Sequence, residues 1–113
     1  IEIFGSGKQT RDFVYINDNV RLSFKAFCET KVDGRPINLG SGNPISILEL
    51  ARLISKIAGK AQISFKPLRK KGEINYRHPD ISFMKKMLKD EPRVELEDGL
   101  RLTLEHIKNN IDK

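Results

Sequence analysis

The chain of 113 residues contains a single cysteine, Cys28, and no tryptophan. One thiol excludes an intrachain disulfide and suits a reducing compartment, so a cytoplasmic location is expected. No run approaches the ~18 apolar residues of a membrane span. No secretory leader is visible, but the chain starts inside a strand-like run and reads as a piece of something longer. The two histidines, His78 and His106, are isolated and have no cysteine or second histidine at ligand spacing, which argues against a zinc site. There is no GxSxG elbow, no HExxH and no P-loop lysine motif. Neither Tyr15 nor Tyr76 is followed by a lysine four residues on. Aromatic residues make up only 7%, too few and too scattered for a platform that stacks single-stranded bases. Internal repeats, low-complexity tracts and an evident linker are also missing.

What is abundant is charge. Charged residues are 32% of the chain and apolar residues 38%, with a formal net charge of +6. The length fits one domain with a modest core. A low apolar share with high charge fits a chain whose core is completed by another surface. It equally fits a lysine-rich surface of the thermophile type. The positive balance admits a phosphorylated small molecule, nucleic acid or a membrane surface as partner. It also admits a merely solvated lysine-rich surface.

Periodicity predicts an α/β order. Residues 1–4 alternate as a strand end, and Gly5-Ser6-Gly7 is a turn. Residues 13–16 are β-branched and aromatic and predict a short strand. Asn17, Asp18 and Asn19 supply capping side chains for a helix over about 18–30. Val20, Phe24, Phe27 and Cys28 recur on its apolar stripe, which makes Cys28 buried filler and not a nucleophile. Residues 36–39 predict a strand and 40–44 a loop. Ser46 and Glu49 stand in capping-box relation at the start of the best-marked helix, whose apolar face is Ile47, Leu50, Ala51, Ile54, Ile57 and Ala58. Gly59 closes that helix. Residues 61–65 predict a strand and 67–76 a basic loop. Residues 80–88 predict a short helix capped by Asp80, and 96–111 a last helix with acids in its first turn. Strands alternating with amphipathic helices imply an α/β architecture.

Two basic features are candidates for binding. Arg11 follows the glycine turn, and its planar fork of donors matches two phosphate oxygens. The alternative is a surface arginine paired with Asp12 or Asp18. Lys66, Arg69, Lys70 and Lys71 form a second cluster, either an anion site or a solvated stretch. The turn's GxG is a weak phosphate signal, and the helix that a dinucleotide fingerprint requires does not follow it. Chemistry alone therefore gives binding features and no reaction centre. A stand-alone basic module for nucleic acid or another phosphorylated ligand is the alternative reading.

The run GSGKQTRDFVYINDNV, followed in order by PINLGSGNPISILELARLI, KGEINYRHPDISFMKKML and EPRVELEDGLRLTLEHI, resembles the C-terminal portion of the NAD-dependent epimerase/dehydratase family. These are extended short-chain dehydrogenases acting on nucleotide sugars, UDP-glucose 4-epimerase among them. The resemblance implies that Arg11 grips the diphosphate and that Lys70, with Arg69 beside it, supplies a second cationic contact. Glu73 matches an acidic position that meets the ribose, and Glu2, Ile3 and Phe4 match the segment beside the base. It implies no catalytic residue here. The tyrosine–lysine pair and the NAD site would lie in a Rossmann domain upstream, whose sheet residues 36–58 would extend by a strand and a helix. Implied partners are a nucleotide-diphosphate sugar, that N-terminal domain and, for the parent, a second copy; a membrane is not among them. Lys89 and Asp90 depart from the family's usual glycine and tryptophan.

Overall fold

The computed structural model of the chain describes residues 1–28, 34–59, 61–68 and 74–110. Its elements run β1 (Glu2–Phe4), β2 (Thr10–Arg11), α1 (Ile16–Cys28), β3 (Ile45–Ser46), α2 (Ile47–Ala58), β4 (Ser64–Lys66), β5 (Tyr76–Arg77), α3 (Ser82–Leu88) and α4 (Leu96–Asn110). The α/β class expected from the periodicity is what the chain adopts. The strands form two small sheets. β1 pairs in parallel with β4, and β2 lies between antiparallel β3 and parallel β5.

α2 forms as its sequence dictates. Ser46 Oγ accepts the Glu49 N–H at 3.2 Å and Glu49 Oε2 accepts the Ser46 N–H at 3.1 Å. At the other end Gly59 takes φ 93°, a left-handed conformation that side chains resist. Residues 13–16 do not form the expected strand. A strand needs ladder partners, and those available, 45–46 and 76–77, stand in register with Thr10–Arg11. Ile16 opens α1 instead, and Tyr15 lies against α4, where a Cβ on Gly99 would stand 3.3 Å from Tyr15 Cβ. Residues 36–39 likewise lack a pairing strand among the described residues. The pairing of β1 shifts the strand expected at 61–65 to Ser64–Lys66, and β5 forms at the end of a segment read as loop. α3 begins two residues after Asp80, which still serves it by accepting the Ser82 N–H at 2.9 Å. Ile111, the expected end of α4, lies outside the described residues.

The largest correction concerns α1. Its predicted apolar stripe points outward: Phe24 is 68% and Phe27 87% exposed, with Val20 and Cys28 exposed beside them. The inner face carries Leu22, buried against Met84 and Leu88 with Ala26, Ile37, Leu39 and Ile81 around them. Asp18 is not a cap either. It is buried and accepts the Arg93 and Val94 N–H groups, both at 2.8 Å, while Arg21 pairs with it at 2.7 Å. Because α1 is stitched along this polar edge, its more apolar side is left without cover. The core is correspondingly thin. The radius of gyration is 16.5 Å, against about 13 Å for a compact domain of this length.

Lys89 and Asp90 supply a local explanation of their own. Lys89 ends α3 at φ 47°, the left-handed region that favours glycine. Asp90 accepts from Arg21 at 2.5 Å and from Lys25 at 3.1 Å, tying α1 to the turn after α3. Burial works to raise the pKa of Asp90, but bonds from Lys25, Arg21 and the Glu91 N–H outweigh it and hold the carboxyl far below its ordinary range. Burial likewise opposes ionisation of Asp18, and its bonds from Arg21, Val94 and Arg93 likewise win.

Lys89→Gly removes the left-handed strain and is expected to stabilise the protein by about 0.5–1 kcal/mol, read from the urea midpoint. Asp18→Ala removes the acceptor of two part-buried N–H groups and is expected to destabilise by about 2 kcal/mol in the same assay. Because both carboxyls bind protons more readily in the unfolded chain, their contribution is complete above the ordinary carboxylate pKa. It drains away as pH falls below about 4, which acid titration followed by circular dichroism checks. Both carboxylates replaced together should flatten that acid limb.

Candidate functional site

The glycine turn is not itself an anion cradle. Gly7 is buried at φ 71°, and a Cβ there would stand 3.0 Å from Leu48 Cβ. The turn therefore lies directly on the start of α2. The Leu48 N–H donates to Gly7 O at 2.9 Å and the Ile47 N–H to Gln9 O at 3.0 Å. With Glu49 N–H held by Ser46, the first donors of α2 are used by the chain's own oxygens. A dinucleotide pyrophosphate needs such donors free, so this turn does not fit an NAD cradle, and any anion must be met by side chains.

Arg11 is the side chain best placed to do so. It stands half-buried on β2, flanked by Ile45 on one side and Arg77 on the other. Its guanidinium donates from Nη1 to the neighbouring Thr10 carbonyl at 2.7 Å. Both acids offered by the sequence as its partners are engaged elsewhere. Asp12 accepts the Ser41 N–H at 3.0 Å, the Gly42 N–H at 2.9 Å and the Ser41 hydroxyl. Asp18 belongs to the seam between α1 and residues 93–94 described above. Among the described residues Arg11 has no ion-pair partner. An always-charged fork without a carboxylate is free to take an anionic ligand bidentately.

Asp12 is the residue sequence reasoning missed. Its three bonds pin the 41–42 loop beside the end of β2, and nothing in local sequence links positions 29 and 30 residues apart. Gly40 makes this approach possible, since a Cβ there would fall 2.4 Å from Pro79 Cγ and 2.8 Å from Asp12 Oδ2. Thr10 Oγ1 is buried with no hydrogen-bond partner, a polar atom that β2 leaves unmatched.

The other candidates separate. Ile3 is 2% exposed, so its side chain belongs to the core and only its backbone remains for a ligand. Glu2 is exposed and pairs with Lys66 at 3.4 Å. Phe4 is half-buried, and its carbonyl accepts from Gln9 Nε2 at 3.2 Å. Arg69, Lys70 and Glu73 lie outside the described residues, as does Lys71. Among the described residues no three His, Cys, Asp or Glu side chains are grouped to hold a metal ion, and no helix is long and apolar enough to cross a membrane.

No protein-family model matches the chain. Individual proteins do. It is 39% identical to a UDP-glucuronate 4-epimerase of Thermodesulfobacterium geofontis, over 99% of this chain and 34% of that protein. It is 36% identical to a UDP-N-acetyl-alpha-D-glucosaminuronate decarboxylase of Bacillus cytotoxicus, over 91% of this chain and 34% of that one. Among solved structures, the UDP-glucuronic acid 4-epimerase of Bacillus cereus in complex with UDP-glucuronic acid and NAD superposes with a TM-score of 0.80 at 38% identity. That match covers 96% of this chain and 35% of the other. The chain thus spans about a third of the length of the relatives it matches.

Gly40→Ala tests the packing behind the site. The added methyl is driven into Pro79 and the Asp12 carboxylate, and a loss of about 1–3 kcal/mol is expected in chemical denaturation.

Proposed function

Because the chain belongs to the NAD-dependent nucleotide-sugar epimerase/dehydratase family, as a C-terminal portion about a third of its members' length, we propose that it supplies the nucleotide-sugar side of such an enzyme. Arg11 grips the diphosphate. The observation that carries this is a guanidinium set on a strand paired on both sides, with each neighbouring acid committed elsewhere. Arg69 and Lys70 add positive charge from the basic loop, Glu73 takes the ribose, and the β1 segment, Glu2, Ile3 and Phe4, lies along the base with Ile3 contributing backbone only. Holding a diphosphate at two cationic points fixes the sugar as a rigid extension, so that one carbon meets the reaction centre repeatedly in the same pose.

The reaction centre belongs to the remainder of the protein, which carries the tyrosine–lysine pair and the NAD site. NAD there supplies hydride exchange at the sugar. This chain's part is binding and orientation. Residues 36–58 extend the cofactor domain's sheet, which gives residues 36–39 the ladder partner they otherwise lack. The exposed Phe24 and Phe27 of α1 are covered by the same body, which accounts for an apolar stripe facing outward. The protein works in the cytoplasm on a UDP- or dTDP-type sugar, epimerising, decarboxylating or dehydrating it.

Three outcomes are expected. Calorimetry on the whole protein should show Arg11→Ala weakening UDP-sugar binding by about 1.5–3 kcal/mol, the scale of hydrogen bonds to a charged group; unchanged affinity removes Arg11 from the site. Residues 1–113 by themselves should give no NAD(H) turnover, and epimerase activity from them alone contradicts the assignment. Phe27→Asp should destabilise the whole protein more than the isolated chain, where the ring is already exposed.

A further inference from the structure

Ser41 has the composition of a simple turn residue, yet its hydroxyl joins two distant parts of the chain. It accepts the Asn43 N–H at 3.0 Å and donates to Asp12 Oδ1, which the Ser41 N–H also reaches at 3.0 Å. The Gly42 N–H takes Oδ2 at 2.9 Å. A hydroxyl has one proton to give and lone pairs to receive, so Ser41 serves both of its bonds at once. Both oxygens of Asp12 are therefore turned to the loop and occupied by it. The loop is itself held from behind by Ile81: a Cβ on Gly42 would fall 2.7 Å from Ile81 Cδ1, and one on Gly40 3.0 Å from Ile81 Cγ2. Ile81 packs on the Leu22, Met84 and Leu88 cluster. A continuous line of contact thus runs from the core through Ile81 and the 40–42 loop to Asp12, the residue that follows Arg11.

We propose that Ser41 and Asp12 are positioning residues for the anion that Arg11 meets, with the Ser41 hydroxyl fixing where the negative charge of Asp12 is directed. This deepens the reading above and rests on it. Arg11 donates to the Thr10 carbonyl, and the carboxylate one residue along is its closest competitor in sequence. A carboxylate with open lone pairs attracts a neighbouring guanidinium strongly where water is partly excluded. Three donors from the loop satisfy that carboxylate and set its direction, so the guanidinium keeps its charge for a ligand. The effect is one of charge. It favours a ligand that carries phosphate and does nothing for a neutral nucleoside.

The test is calorimetric titration of the whole protein with UDP and with uridine, for the unaltered protein, for Ser41→Ala and for the Ser41→Ala, Asp12→Asn double variant, with a urea midpoint for each. Ser41→Ala is expected to weaken UDP about three-fold, the lower range for one lost hydrogen bond, and to leave uridine unchanged. The double variant is expected to bind UDP more tightly than Ser41→Ala, even with the lower urea midpoint, because an amide in place of the carboxylate cannot neutralise Arg11. A merely structural role predicts the opposite order, so a double variant that binds no more tightly than Ser41→Ala overturns the proposal. Unchanged UDP affinity in Ser41→Ala overturns it too, as does an equal loss for UDP and uridine. If Arg11→Ala weakens UDP while Ser41→Ala does not, this proposal falls and the nucleotide-sugar reading stands. Failure of the unaltered protein to bind UDP at all overturns both.

Discussion

Two residues of strand hold Arg11, on which the candidate site depends. β2 is only Thr10 and Arg11, too short to persist without neighbours, and it exists because β3 and β5 pair with it on both sides. Asp12 then fastens its end to the 41–42 loop through three hydrogen bonds. The consequence is chemical as much as structural. Asp12 is the nearest carboxylate in sequence to Arg11, and by bonding to the loop it is withdrawn from the guanidinium. One interaction thus both positions the cation and leaves it unneutralised. The glycine turn completes the arrangement from the other direction by occupying the donors at the head of α2.

α1 shows a second constraint, the conflict between an ionic seam and an apolar stripe. Asp18, Arg21, Lys25 and Asp90 bind one edge of the helix to the segments around 90–94. A partly buried carboxylate is tolerated only with several donors on it, and here each has them. That seam sets the rotation of the helix, and the rotation decides which side faces out. The aromatic side loses the contest within this chain, and burying it requires a surface from elsewhere. A thin core and an extended shape follow from the same fact.

Legibility in the sequence tracked how local each signal was. α2 was readable to the residue because Ser46, Glu49 and Gly59 act on backbone groups three or four positions away. The resemblance that named Arg11 was readable because four ordered segments span the chain. Strand positions were less so: residues 13–16 had the right composition, but β2 formed at 10–11, where partners from 45–46 and 76–77 happened to align. The amphipathic stripe of α1 was detected correctly as a stripe and given the wrong side, since periodicity finds a face without saying what covers it.

What the amino-acid order determined alone was therefore the α/β class, the helices in outline, the caps of α2, and the presence of an always-charged arginine after the glycine turn. Those depend on contacts within a few residues or on side-chain chemistry. Which acids Arg11 would be denied, which arginine would stand beside it, and which side of α1 would be bare were decided only by tertiary structure. Each depends on pairs 29 to 76 residues apart, and such pairs are selected by register and by the competition among partners across the whole fold.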